Sequence, residues 1–181
     1  PYTTLFRSSF FGDDGNNTFS GSKMNDYIWG NKGDDTLKGG YGSDTYLFNA
    51  GDGKDYLYEG TSNAGDADTL RFGEGINPED VIIQRRKTSG LNARDSLIIT
   101  FRNSTDSITL DDFFRAAKYQ VEHITFADGT DWLPEDILNY LEDDIPLPIA
   151  ASPDTPVSMS LLRQEMAAFS GGSMTMMLAW W

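Results

Sequence analysis

Five tandem nine-residue units between residues 12 and 58 constrain the fold of this chain more than any other feature. Glycine stands at or near the start of each unit, a carboxylate or amide stands sixth, and an apolar residue stands eighth. The units are GDDGNNTFS at 12–20, GSKMNDYIW at 21–29, GNKGDDTLK at 30–38, GGYGSDTYL at 39–47 and AGDGKDYLY at 50–58. A short period of this kind predicts a solenoid in which each unit packs on its neighbours.

The two halves of each unit predict different local structures. Glycine permits a left-handed or closely approached backbone, so the first six residues form a tight turn whose carbonyl oxygens point inward. The last three residues form a minimal strand whose middle side chain faces the core. Two units return the chain to its starting side. We therefore predict an all-β fold, a right-handed parallel β-roll in which copy n lies beside copy n+2.

This stacking brings the sixth-position side chains of alternate copies together. The predicted pairs are Asn17 with Asp35, Asp26 with Asp44, and Asp35 with Asp55. Like charges at such distances destabilise a fold unless a cation neutralises them. Calcium fits best, because it accepts roughly six to eight carboxylate and carbonyl oxygens in flexible geometry, whereas magnesium demands a stricter octahedron. No segment has the acidic spacing of an EF-hand loop.

The predicted Ca²⁺ ligands are the sixth-position side chains and the turn residues whose carbonyl oxygens surround them. They are Asn17, Asp26, Gly30, Gly33, Asp35, Gly39, Gly40, Tyr41, Gly42, Asp44, Gly51, Gly53 and Asp55. The pair that contains Asn17 has one carboxylate fewer than the other two pairs. The prediction therefore depends mainly on Asp26 with Asp44 and on Asp35 with Asp55.

The composition argues against several other functions. Fourteen Lys and Arg against 28 Asp and Glu give a formal net charge of −14, which disfavours nucleic acid as a partner because phosphate contacts need clustered basic side chains. The chain has no cysteine and one histidine, His123, so thiolate zinc sites and His-rich sites are excluded. Its apolar stretches are shorter than the roughly 20 residues of a membrane-spanning helix. We expect a non-catalytic chain with no membrane-spanning segment.

The sequence pattern of residues 61–144 predicts a second region, which is rich in β-strands. Alternating apolar stretches predict strands at 68–72, 80–84, 95–101, 106–110 and 121–126. Helices are predicted at 111–117 and from Pro134 onward.

We interpret two charged clusters and one histidine of this region as structural rather than functional. Asp111 and Asp112 stand at the start of the first predicted helix, where acidic side chains favour the helix N-terminus. The basic run at 85–87 is interpreted as a solvated turn. We expect His123 to be a solvated or hydrogen-bonded strand residue, because no second histidine or cysteine accompanies it.

The repeats resemble the GGxGxDxUx nonapeptides of the RTX, or haemolysin-type calcium-binding, family. The unit at 39–47 matches every fixed position, whereas Ser22, Met24, Asn31 and Ala50 replace glycines in other units. The segments DTLRFGEGINPEDV, DSITLDDFF and ITFADGTDW are similar to the region that follows the repeats in this family. The resemblance implies a calcium-binding β-roll at 12–60. It also implies that 61–144 is a cap, which a solenoid needs over its open end.

The C-terminal part has a different composition. Residues 145–156 carry four prolines and predict a stiff linker. Residues 157–181 contain an amphipathic stretch that is nearly free of charge. This segment is similar to the uncleaved signal through which RTX proteins leave the cell by a type I secretion transporter. A helix that docks on the core is the alternative interpretation.

The resemblance implies a secreted, extracellular module that folds when calcium binds and that supports type I secretion. Two alternatives remain open at this point. One alternative is the accessory domain of an RTX hydrolase whose catalytic domain precedes Pro1, and the other is the terminal module of a large RTX adhesin. Residues 1–11 fit no repeat and stay unassigned.

Overall fold

The computed structural model describes residues 8–60 and 65–143. The predicted linker at 145–156 and the predicted secretion segment at 157–181 lie outside the described residues. The strands in chain order are β1 (Ser9–Phe11), β2 (Thr18–Ser20), β3 (Tyr27–Trp29), β4 (Thr36–Lys38), β5 (Thr45–Phe48), β6 (Lys54–Tyr58), β7 (Thr69–Phe72), β8 (Val81–Lys87), β9 (Asp95–Phe101), β10 (Ser107–Leu110), β11 (His123–Thr125) and β12 (Asp131–Trp132). One α-helix follows them, α1 (Pro134–Asp143).

The strands form two six-stranded sheets. Sheet A has the order β1-β3-β5-β7-β11-β12, and sheet B has the order β2-β4-β6-β10-β9-β8. Successive strands of the repeats therefore alternate between the sheets, and every pair among β1 to β7 is parallel. The all-β parallel roll predicted from the repeats is confirmed.

The strand register confirms the predicted stacking of copy n on copy n+2. In sheet B, Thr18 pairs with Thr36 and Thr36 pairs with Tyr56, while in sheet A Tyr27 pairs with Thr45. The middle residue of each repeat strand faces inward, as period-2 geometry requires. These inward residues are buried from the second unit onward: Ile28, Leu37, Tyr46 and Leu57.

The unassigned lead-in supplies the first strand of sheet A. β1 pairs in parallel with β3 and places Phe10 opposite Ile28. The Phe10 ring also packs on Phe19 of the facing sheet, with ring centroids 5.7 Å apart. Residues 9–11 thus take the strand positions of a unit, but no glycine precedes them to reveal the period in the sequence.

The region after the repeats continues both sheets, as expected of a cap. β7 and β11 extend sheet A in parallel. In sheet B, β10 adds to β6 in parallel, β9 pairs antiparallel with β10, and β8 pairs antiparallel with β9. Aromatic side chains fill the core at this end: Phe72 lies 5.6 Å from Phe101 and 5.0 Å from Phe126, measured between ring centroids. The five strands predicted between 68 and 126 are present.

The helix predicted at 111–117 is wrong. Residues 111–115 form turns, and only Ala117–Tyr119 make a single 3-10 turn. Asp112 has φ of 54°, a left-handed conformation that a right-handed helix cannot include. Phe113 is fully buried, so this turn is held by packing rather than by helical periodicity. Asp111 and Asp112 consequently do not sit at a helix N-terminus.

The prediction that residues 85–87 form a turn is also wrong. These residues end β8, whose pairing with β9 extends to Lys87 opposite Asp95. Their side chains are exposed, and Arg85 forms a salt bridge of 2.7 Å with Asp95. The helix beginning at Pro134 is confirmed as α1. Among the described residues, no helix has the length and apolar character that crossing a membrane requires.

Candidate metal sites

A ladder of carboxylates follows the turns that lead into sheet A. Each carboxylate accepts a hydrogen bond from the backbone N–H of the corresponding residue one turn earlier. Ser8 donates to Asp26 at 3.1 Å, Asp26 to Asp44 at 2.7 Å, and Asp44 to Asp68 at 2.8 Å. Asp68 in turn donates to Glu122 at 2.7 Å. The ladder therefore runs from the first strand through the repeats and into the region that follows them.

A shorter ladder follows the turns that lead into sheet B. The Asn17 N–H donates to Asp35 Oδ1 at 2.6 Å, and the Asp35 N–H donates to Asp55 Oδ1 at 3.1 Å. The residue in register with Asp55 on the next strand is Ile108, so this ladder ends there. The three sixth-position pairs predicted from the sequence are all brought together.

Most of the predicted turn glycines lie where a side chain would meet atoms of the same or the neighbouring turn, whereas Gly51 has open space around it. A Cβ on Gly39 would come within 2.1 Å of Asp44 Oδ2, and a Cβ on Gly30 within 2.1 Å of Asp35 Oδ2. The first position must therefore be glycine in these units, because the carboxylate occupies the space of a side chain. The remaining predicted turn glycines have positive φ: Gly33, Gly40, Gly42, Gly51 and Gly53. The Tyr41 N–H donates to the Ser22 carbonyl oxygen of the neighbouring turn at 3.1 Å.

The second oxygens of several ladder carboxylates lack hydrogen-bond donors. Asp35 Oδ2 and Asp44 Oδ2 are buried without a partner. Leaving a buried carboxylate oxygen without a donor is costly. An oxygen-only donor set with two carboxylates per pair is what a hard cation such as calcium prefers. The residues present therefore fit calcium.

Burial and mutual repulsion raise the pKa values of these carboxylates above the ordinary value of an aspartate. Burial, with the charge of Asp26 nearby, raises the pKa of Asp44 to about 6. Burial and the charge of Asp35 raise the pKa of Asp55 to about 8. Burial also raises the pKa of Asp35. Each shift opposes the charged form, so an ionised ladder needs a compensating cation.

Glu59 and Asp68 belong to the acidic array although the repeat pattern did not identify them. One carboxylate oxygen each of Asp44, Glu59 and Asp68 lies within 4.8 Å of the others. Asp68 carries a recognisable signal, because it stands directly before a threonine that begins β7, just as Asp35 stands directly before the threonine that begins β4. Glu59 follows the last unit and has no signal in the sequence.

The isolated residues considered in the sequence have ordinary structural partners. His123 lies in β11, and its Nδ1 is 2.7 Å from Asp131 Oδ2, so the expected hydrogen-bonded strand residue is confirmed. Asp111 and Asp112 are buried, and Arg94 Nη1 lies 2.9 Å and 2.8 Å from their carboxylates. These two acids are neutralised within the protein.

Two stacks of short parallel strands, joined by glycine-rich turns and edged by carboxylates, define a parallel β-roll of the calcium-binding type. The family model described as "RTX calcium-binding nonapeptide repeat (4 copies)" matches residues 11–46. The model described as "Haemolysin-type calcium binding protein related domain" matches residues 97–136. The chain therefore contains RTX calcium-binding repeats and a haemolysin-type calcium-binding related domain, and such repeats are typical of secreted proteins. A search of curated proteins found no match.

Proposed function

We propose that this chain is a non-catalytic module of an exported RTX protein, which folds on binding calcium outside the cell and supports type I secretion. The observation that carries the proposal is the double ladder of buried carboxylates, in which Asp35 Oδ2 and Asp44 Oδ2 have no donor. A fold built in this way has a stability that depends on the cation concentration around it.

Without a cation, two costs oppose folding of the repeats. The ladder carboxylates must lose their hydration and approach one another, which is the cause of the raised pKa values of Asp44 and Asp55. The turns are rich in glycine, which loses more backbone freedom on folding than any other residue. The chain therefore stays unfolded where calcium is scarce, as in the cytosol.

The folded roll is favoured wherever it binds a cation that the unfolded chain does not bind. The stabilisation is about 2.7 kcal/mol for each site when free calcium is roughly 100-fold above the dissociation constant. Several sites in one roll add their contributions, so folding becomes steeply dependent on calcium.

This dependence suits export. An unfolded chain can pass a narrow channel, and folding at the calcium-rich outer side opposes its return. We assign the segment 157–181 the role of the uncleaved signal for the type I transporter. Calcium outside the cell then supplies the direction of transport through the free energy of folding.

The folding step is tested by far-UV circular dichroism and tryptophan emission during a calcium titration, with magnesium as the control cation. Trp29 reports on the roll, because its Nε1 donates to Asp52 Oδ2 at 2.9 Å. We expect a cooperative gain of β signal with calcium and none with magnesium. A chain that is already folded in chelator, or that ignores calcium, contradicts the folding switch.

The secretion step needs a separate test. We expect deletion of 157–181 to abolish export through a type I transporter while the calcium-induced circular dichroism signal of the purified variant is unchanged. Export at the level of the intact chain would contradict the assigned signal without affecting the folding proposal.

A further inference from the structure

A cluster of three buried carboxylates lies where the repeats meet the region that follows them. Asp44 ends the turn before β5, Glu59 follows β6, and Asp68 precedes β7. Their carboxylate oxygens lie within 4.8 Å of one another, and the side chains are 1%, 3% and 1% exposed, respectively. The cluster therefore joins two turns of the roll through side chains from three segments.

The strand register explains how Glu59 reaches this place. Lys38 pairs with Tyr58, so Glu59 occupies the position that Gly39 holds one turn earlier. A Cβ on Gly39 would lie 2.1 Å from Asp44 Oδ2, which means that the first position of a turn faces the carboxylate at its sixth. A glutamate there extends its own carboxylate into the same region. The last turn thus has a third carboxylate where the repeat has no side chain.

The contacts of these oxygens are typical of a site for a positive ligand. Asp44 Oδ2 and Glu59 Oε2 are buried and have no hydrogen-bond partner. Glu59 Oε1 accepts a hydrogen bond from the buried Tyr46 hydroxyl, and Asp68 Oδ1 accepts one from the Asp44 N–H. In the part of the chain that the structure describes, no lysine or arginine forms an ion pair with any of the three.

The ionisation of the cluster agrees with this geometry. Burial and the charge of Asp68 raise the pKa of Glu59 to about 9, while burial and the charge of Asp44 raise that of Asp68 to about 7. Three carboxylates at these separations can all be charged only when a cation lies between them. Arginine compensates the charges of Asp111 and Asp112, but among the described residues no arginine forms an ion pair with this cluster.

We propose that Asp44, Glu59 and Asp68 form a calcium site of a different composition from the repeat sites, with three carboxylates instead of two. This proposal rests on the calcium binding proposed above and assigns a further site to it. The all-oxygen donor set favours a hard cation. Calcium is favoured over magnesium, because magnesium keeps several waters and these side chains are enclosed. Since Asp44 also belongs to the pair with Asp26, the site links the repeats to β7.

The test compares Glu59→Gln with Glu74→Gln in the full chain. The two changes are chemically identical, but Glu74 is exposed in the turn after β7. Isothermal titration with calcium measures the number of ions bound and their affinities, and a magnesium titration is run in parallel. We expect Glu59→Gln to lose one bound ion or to weaken one class of site at least tenfold. Glu74→Gln should match the unsubstituted chain.

Three outcomes separate this proposal from the one on which it rests. If Glu59→Gln binds as many calcium ions as the unsubstituted chain, with the same affinities, the three-carboxylate site is wrong and the folding switch stands. If the unsubstituted chain binds no calcium, both proposals fail. If magnesium fills the Glu59-dependent site equally well, calcium is the wrong assignment for it.

A second variant keeps the proposal testable if Glu59→Gln does not fold. Asp68→Asn removes a different carboxylate of the same cluster and leaves the Glu59 contact with Tyr46 in place. Loss of one ion or a tenfold weakening in Asp68→Asn supports the site. Unchanged calcium binding by a folded Asp68→Asn variant overturns it.

Discussion

The ladder acids of the repeats and the paired acids of the following region are buried to the same degree but neutralised differently. Asp44 and Asp112 are both 1% exposed. Asp112 meets Arg94 at 2.8 Å and Arg115 at 3.1 Å, whereas Asp44 meets the carboxylates of Glu59 and Asp68. Burial acts to raise the pKa of Asp112, but the hydrogen bonds from the two arginines lower it overall, while the pKa of Asp44 rises.

This difference shows which part of the fold needs an external ion. A buried acid with an arginine partner is compensated within the chain, so its contribution is independent of calcium. A buried acid beside other acids is compensated only by protons or by a bound cation. We therefore expect the repeat edges to respond to calcium and pH, and the Asp111–Asp112 turn to be insensitive to calcium.

The largest expected effect is the pH response of the calcium-free chain. The folded-state pKa values of Asp55 and Glu59 are raised to about 8 and about 9, above the roughly 4 of an unfolded carboxyl. Such groups stabilise the fold fully below pH of about 4, and this stability is lost as pH rises through their folded-state values. In chelator, the β signal in far-UV circular dichroism should increase as pH falls from about 9 toward 5.

Calcium binding by the folded chain should respond to pH in the opposite direction, because protons compete with calcium for the same oxygens. The affinity of the folded chain for calcium, measured by isothermal titration, should fall as pH falls over the same range. A calcium-free signal that is flat between these pH values would show that the ladder acids do not control folding.

The next largest effect is expected at Gly39. In Gly39→Ala, the new methyl group would overlap Asp44 Oδ2 and the Tyr46 hydroxyl, at 2.1 Å and 2.5 Å. We expect a loss of about 3 kcal/mol in the free energy of unfolding at saturating calcium, as for overpacked sites. Urea denaturation measures it. Gly15→Ala is the control, since its nearest neighbour would be Asp13 Oδ1 at 3.3 Å, and equal losses in both variants would refute the steric role of Gly39.

A smaller effect is expected from Asp44→Asn, which removes one charge from the ladder. The calcium concentration at half-maximal folding should rise at least tenfold, about 1.4 kcal/mol. Asp14→Asn is the matched control, because Asp14 is exposed and contacts Lys32 at the surface at 3.0 Å. Its midpoint should shift by less than about twofold. A titration followed by circular dichroism measures both, and equal midpoints would remove Asp44 from the calcium sites.

The smallest effect is expected from Arg94→Gln in the arginine-compensated turn. The variant leaves Asp111 without its arginine, but the partly exposed guanidinium limits the loss to about 1 kcal/mol of unfolding free energy. The loss should be equal at two saturating calcium concentrations. Arg86→Gln, an exposed neighbour in β8, serves as the control. A calcium midpoint that shifts with Arg94→Gln would contradict the separation of the two regions.

The part of the site that was predictable from the sequence is the part that repeats. The pairs Asp26 with Asp44 and Asp35 with Asp55 follow from one spacing and one stacking rule, and the register places them together. The strand β1 was missed because its residues have no preceding glycine. The helix predicted at 111–117 failed because local spacing could not reveal the left-handed Asp112 or the burial of Phe113.

The sequence by itself determined the roll, since glycine turns, apolar eighth residues and sixth-position acids are local and recur at a constant interval. Only the tertiary structure decided which acids have compensating partners. Glu59 meets Asp44 because strand register aligns it with Gly39, and Arg94 reaches Asp112 across 18 residues. Such contacts depend on strand pairing between distant segments, and that pairing determines which charges are compensated within the chain and which require calcium.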